Sequence, residues 1–142
     1  MSQTRLPAEL RQRVRARAGG CCEYCRLPET YSFAVHQVDH IIAEKHGGSS
    51  NEDNLALCCI ACNQFKGTDL ASMDPLRSRT TLLFHPRKHR WSDHFQLKGA
   101  HIQALTAIGR TTVRLLRMND PERVAERELM LHAGLLSNAA RI

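Results

Sequence analysis

The apolar positions of this chain fall into two periodicities, and they divide it into elements. Leu6, Leu10 and Val14 recur four apart, a narrow stripe that predicts a helix over residues 5–18 with Arg5, Arg11, Arg13, Arg15 and Arg17 on the rest of its surface. Thr4 offers a cap, Pro7 fits a first turn, and Glu9 suits the positive end of the helix dipole. Gly19-Gly20 then stop it. Residues 33–42, FAVHQVDHII, are rich in β-branched side chains and predict a strand. Strict alternation puts His36, Val38 and His40 on one face and Asp39 on the other, so a site that uses both Asp39 and His40 needs the strand to end or bend there. A polar loop follows to Asp53 and turns at Gly47-Gly48. Asn54 to Cys59 returns as a second, short strand. A helix starts near Ile60 and carries Asn63 and Lys66, three apart and therefore on one face.

Residues 68–82 predict a connection with a turn at Met73-Asp74-Pro75. Trp91–Leu97 and Ala100–Leu105 predict a hairpin about Lys98-Gly99. Thr106 is placed to cap a helix over 107–118 whose apolar positions are Ile108, Val113, Leu115 and Leu116. Asp120-Pro121 opens a last helix that runs to about Leu136, with Val124, Leu129, Leu131 and Leu135 as its apolar positions. The fold class is α+β. A strand-loop-strand-helix core with its basic N-terminal helix spans 1–70, and an extension of a hairpin and two helices spans 71–142, expected to pack on that core.

A length of 142 residues suits one domain, or one small domain with an extension. With 42% hydrophobic and 24% charged residues the chain is globular in type, and its few aromatics leave the core to Leu, Ile, Val and Ala. A net charge of +6 favours a polyanionic partner, although a solvated surface carries such a charge equally well. No apolar run is long enough to span a membrane, and the N-terminus lacks the apolar segment of a signal peptide. A cytoplasmic location is the resulting expectation. Six cysteines in that reducing setting point to metal ligation before disulfides.

Cys22-x-x-Cys25 and Cys59-x-x-Cys62 are two knuckles that together complete a tetrahedral four-thiolate site. Such a site leaves no open position for water, so its Zn²⁺ is expected to be structural. Cys21 and Cys58 each directly precede a ligand, which leaves a shifted register open; the CxxC spacing is preferred, and Cys58 is then directed into the core. Looped out between the knuckles are the Asp-His strand and its turn, which with Asn63, directly after the second knuckle, supply residues suited to phosphodiester hydrolysis. His40 can take a proton from water near neutral pH. Asp39 and Asn63 offer two oxygens, enough for Mg²⁺ or another divalent metal that keeps its remaining waters.

Taken in order, Cys22-x-x-Cys25, Val-Asp39-His40-Ile-Ile, His46-Gly47-Gly48, Asn54-Leu, Cys59-x-x-Cys62-Asn63 and Lys66-Gly67 resemble the HNH endonucleases, a family with a ββα-metal active site. The resemblance covers residues 20–68. It implies that His40 is the general base, that Asp39 and Asn63 bind the catalytic metal, and that Asn54 pins the loop. It also implies DNA hydrolysis leaving a 5′-phosphate and a 3′-hydroxyl. His36 and Lys66 are candidates for a phosphate or metal contact, against a structural histidine and a surface lysine. His46 either serves the site or only orders the loop. A second pair, Asp93-His94, lacks the flanking CxxC and Asn elements and is read as a decoy. Residues 83–95 resemble an extension carried by a bacterial subset of HNH proteins. There Arg87, Lys88, Arg90 and Trp91 are a candidate nucleic-acid contact, with Trp91 as core the competing reading. Against the nuclease stands a non-catalytic, zinc-stabilised DNA-binding module with the same clamp and no second metal. A zinc-stabilised protein-interaction domain is a third reading, disfavoured by the basic surface. The oligomeric state is open.

Overall fold

The stripe Leu6, Leu10 and Val14 does what its spacing predicts. In a computed structural model that describes residues 5–136, Leu6 and Val14 are buried with Leu55 and Leu57, and Leu10 and Val38 pack against them. Burial of this kind contributes about 1.5–3 kcal/mol for each large aliphatic side chain. The helix, α1, spans Ala8–Arg17, later than residue 5. Pro7 explains the difference. It keeps Leu6 out of the helical region and stands as the residue before the helix, with ψ 146°. Thr4 lies outside the described residues.

The chain divides into two compact units, Met1–Thr68 with His85–Lys88, and Asp69–Phe84 with His89–Ile142. In the first, β1 (Gln37–His40) pairs antiparallel with β2 (Leu55–Cys58), His40 facing Leu55 and Asp39 facing Ala56. β1 is shorter than the 33–42 expected. Residues 33–36 pair with no strand; the His36 N–H donates instead to the Glu29 carboxylate, and Phe33 and Val35 are exposed. The Asn54 carbonyl accepts from the Ile41 N–H just beyond the pairing, and the strand ends at His40. Next comes α2 (Ile60–Lys66), which Gly67 terminates with φ 51°. The unit is thus a ββα hairpin-plus-helix with α1 laid against it, consistent with an α+β fold.

The second unit opens with a hairpin the sequence did not predict, β3 (Ala71–Met73) with β4 (Thr80–Leu82). Asp74 organises its turn. The carboxylate accepts from the Leu76 N–H and from two guanidinium nitrogens of Arg110 at 3.0 and 2.9 Å, and Arg110 holds its pKa down at about 2. Trp91–His94 is one helical turn, α3, rather than strand; β5 (Phe95–Lys98) and β6 (His101–Ala104) follow. Trp91 is buried against Phe95, ring centroids 5.1 Å apart, so it is core and not a surface for stacking a base.

Helix α4 (Ala107–Leu115) is capped by Thr106, whose Oγ1 accepts the Gly109 N–H at 3.0 Å. It ends before 118 because Arg117 takes a left-handed turn, φ 51°. Its buried side chains are Thr111 and Thr112, not Val113 and Leu115, and both hydroxyls donate to carbonyls one turn back. Helix α5 (Pro121–His132) stops short of Leu136. Its buried positions are Arg123, Arg127 and Met130, while Leu129 is 72% exposed. The two arginines face inward onto backbone carbonyls of the turn that follows α4 and of Ala100. Arg123 donates to Leu116 O and Arg117 O, and Arg127 to Met118 O and Ala100 O. Among the described residues, no helix is long and apolar enough to cross a membrane.

Candidate functional site

The four cysteines of the two CxxC motifs converge. The sulfurs of Cys22, Cys25, Cys59 and Cys62 all lie within 4.8 Å of one another, and all four residues are buried. The Cys25 and Cys59 sulfurs are 3.6 Å apart. Tetrahedral zinc with Zn–S of about 2.3 Å would hold sulfurs about 3.8 Å apart, so the cluster fits that ion. Cys22 Sγ accepts the N–H groups of Tyr24 and Cys25, and Cys59 Sγ accepts the Cys62 N–H, each at 3.4 Å. The last bond also caps α2, so one sulfur can serve both the metal and the helix. Burial pushes the Cys22 and Cys62 thiols well above the ordinary thiol range, so thiolates need a cation to exist there. None of the six cysteines is in a disulfide. Cys21 and Cys58 lie outside the cluster, each with its sulfur near a backbone carbonyl, and Cys58 is buried in the core.

Asn54 closes the loop between the strands. Its Oδ1 accepts the Ile42 N–H at 2.9 Å, and its Nδ2 donates to Ile42 O and Ser49 O at 2.9 and 2.7 Å. Gly48 sits so close beneath this lock that a Cβ there would lie 1.7 Å from Ile42 O and 2.8 Å from Asn54 Nδ2. Lys66 is 6% exposed, and its Nζ donates to Ile41 O at 2.9 Å, so it ties α2 to the chain just past β1. His46 is exposed beside Gly47 on the same loop.

Asp39 and Asn63 line one open groove of about 810 Å³, with α1 along its other wall. His36 lines it too, although it is 1% exposed. Its Nε2 is 2.8 Å from Leu27 O and so carries the hydrogen, while Nδ1 is buried without a hydrogen-bond partner. His40 is 4% exposed and does not line the groove. Its Nε2 is 3.0 Å from Ser50 Oγ, and its Nδ1 is likewise buried without a partner. The structure therefore gathers Asp39, Asn63 and His36 on one surface, with His40 at the end of the strand beside it.

Glu23 and Arg87 did not stand out in the sequence as a pair. Glu23, between two zinc-cluster cysteines, is 5% exposed. It stitches the first knuckle to β2, since its N–H donates to Leu57 O and its carboxylate accepts the Leu57 N–H. Arg87 pairs with the other carboxylate oxygen, which assigns Arg87 to the clamp rather than to a solvent-facing basic patch. The only sequence signal was an acid inside a CxxC; its partner lies far along the chain.

Compared with known families, residues 22–69 match the model described as HNH endonuclease, so the chain carries an HNH domain. No curated protein and no solved structure matches it.

Proposed function

We propose, from the HNH domain at residues 22–69, that this protein is a metal-dependent endonuclease that hydrolyses DNA phosphodiester bonds. The observation that carries the reading is the setting of Asp39-His40. Strand β1 ends there, Asp39 shares a groove with Asn63, and His40 has one ring nitrogen fixed and the other unpartnered. In this reading His40 Nε2–H donates to Ser50 Oγ, which leaves the Nδ1 lone pair to take a proton from the attacking water. Asp39 and Asn63 hold the divalent ion, Mg²⁺ or a similar hard cation, which when bound stabilises charge on the phosphate and the leaving oxygen. Water adds to phosphorus as His40 takes its proton, the bond from phosphorus to the 3′ oxygen breaks, and that oxygen takes a proton from solvent, giving a 5′-phosphate and a 3′-hydroxyl. Zinc in the four-cysteine cluster holds Cys62 and so fixes Asn63, the next residue. In a reducing cytoplasm those thiols stay available to the metal.

A second reading, a non-catalytic zinc-stabilised DNA-binding module, is favoured by the burial of His40 and its absence from the groove wall. Nicking of supercoiled plasmid separates the two. With added Mg²⁺ or Mn²⁺ the parent protein is expected to nick, and His40→Ala is expected to lose about 10²–10⁴-fold in rate while still binding DNA. DNA binding without nicking under any divalent ion would establish the module instead.

A further inference from the structure

The five arginines of α1 and its lead-in divide by task. Arg13 pairs with Glu52. Arg17 donates to Glu52 O at 2.9 Å and Leu55 O at 2.6 Å, and Arg15 donates to His36 O at 2.9 Å and pairs with Glu29. These three fasten the helix to the hairpin and its approach. Arg5 and Arg11 make no ion pair among the described residues. Both line the groove that holds Asp39 and Asn63, where Asp39 is the only carboxylate among the described residues. Arg15, one turn beyond Arg11 and about 6 Å further along the helix axis, lines the groove too, but its charge is shared with Glu29, so the unpaired positive charge of this wall is that of Arg5 and Arg11.

A carboxylate does not need two unpaired guanidiniums along the wall facing it. A polyanion laid in the groove does. We infer that Arg5 and Arg11 are positioning residues that contact the phosphates of the nucleic-acid strand whose scissile bond reaches Asp39 and Asn63. The inference rests on the proposed nuclease reading and names the surface along which its substrate runs. Phosphate contacts of this kind fix register without reading sequence, and each releases counterions on binding.

The test is binding of a fluorescein-labelled DNA duplex by zinc-loaded full-length protein, without added magnesium and across a salt series. Arg11→Ala and the double variant Arg5→Ala/Arg11→Ala are set against Arg13→Ala, which removes the same charge from the same helix away from the groove. The slope of log K against log salt is expected to become shallower by about 1 for each groove arginine removed, with affinity falling in step. Arg13→Ala is expected to stay within about twofold of the parent in affinity. Zinc content and melting temperature check that each variant folds. Equal, small losses in Arg11→Ala and Arg13→Ala, with parent binding and nicking intact, would overturn this inference alone. A parent protein that binds no duplex would overturn it together with the nuclease reading.

Discussion

The chain contains two Asp-His pairs, and they share more than their letters. Each histidine bonds a hydroxyl: His40 Nε2 to Ser50 Oγ at 3.0 Å, and His94 Nδ1 to Thr106 Oγ1 at 2.7 Å. The surroundings then diverge. Asp39-His40 closes a strand, beside a helix that brings Asn63 into the same groove as Asp39. Asp93-His94 closes a single helical turn, Asp93 is exposed, and the His94 ring lies against those of His89 and Phe84. The Thr106 hydroxyl that bonds His94 also caps α4. The second histidine is thereby built into a helix start, whereas the first keeps an unpartnered ring nitrogen. The two dipeptides therefore differ in what surrounds them: the first stands beside the groove that Asp39 and Asn63 line, the second against the rings of His89 and Phe84.

The largest effect is expected from Cys59→Ala, which removes one sulfur of the cluster and the cap of α2 together. Zinc binding in small modules is worth about 10–16 kcal/mol, and that energy is folding energy. The variant should retain no zinc and should lose the cooperative melting of the hairpin-plus-helix. Parent-like zinc content and melting would remove the clamp from the account, and with it the brace on Asn63.

The nicking assay proposed for His40→Ala sharpens the comparison when His94→Ala is run beside it. The second variant should cut at the parent rate, because Asp93 is exposed and the His94 ring packs against those of His89 and Phe84. Loss of cutting in His94→Ala alone would reverse the assignment of the two pairs.

Much of this was legible in the sequence because it rests on local pattern. The two CxxC spacings, the stripe of α1, the turn at Gly47-Gly48 and the Thr106 cap are each written within a few residues. What was not legible depends on partners far along the chain. Residues 33–36 look like strand, but β2 offers them no partner and Glu29 takes the His36 N–H. Arg123 and Arg127 look like the solvated face of α5, and they are buried with their guanidiniums on carbonyls of the turn after α4. Arg87 looks like part of a basic surface patch until Glu23 is placed next to it. Lys66 fits a phosphate contact by its helix face, and only the position of Ile41 O shows what its ammonium meets.

Gly48→Ala tests how closely the loop beside His40 is held. The added Cβ would meet backbone, Ile42 O, which no side-chain rotation can relieve. Overpacking usually costs 1–3 kcal/mol, and a clash with backbone belongs at the top of that range, about 3 kcal/mol. A loss in melting of that size, with reduced nicking, is the expected outcome. A stability unchanged within about 0.5 kcal/mol would mean that the Asn54 lock tolerates a wider loop than the hydrogen bonds suggest.

The smallest effect separates the two hydroxyls. Thr106→Ala removes the cap of α4 and the partner of His94, and loss of an N-cap costs about 1 kcal/mol. Thr106→Ser keeps an oxygen at the same place and should recover most of that stability. If the second Asp-His pair is structural, urea midpoints will order as parent, then serine, then alanine, and all three proteins will nick plasmid equally. Ser50→Ala changes the corresponding hydroxyl on the first pair, where the bond orients the proposed base rather than starting a helix. A fall in nicking there without a matching fall in stability would show that the same hydrogen bond serves catalysis in one half of the chain and folding in the other.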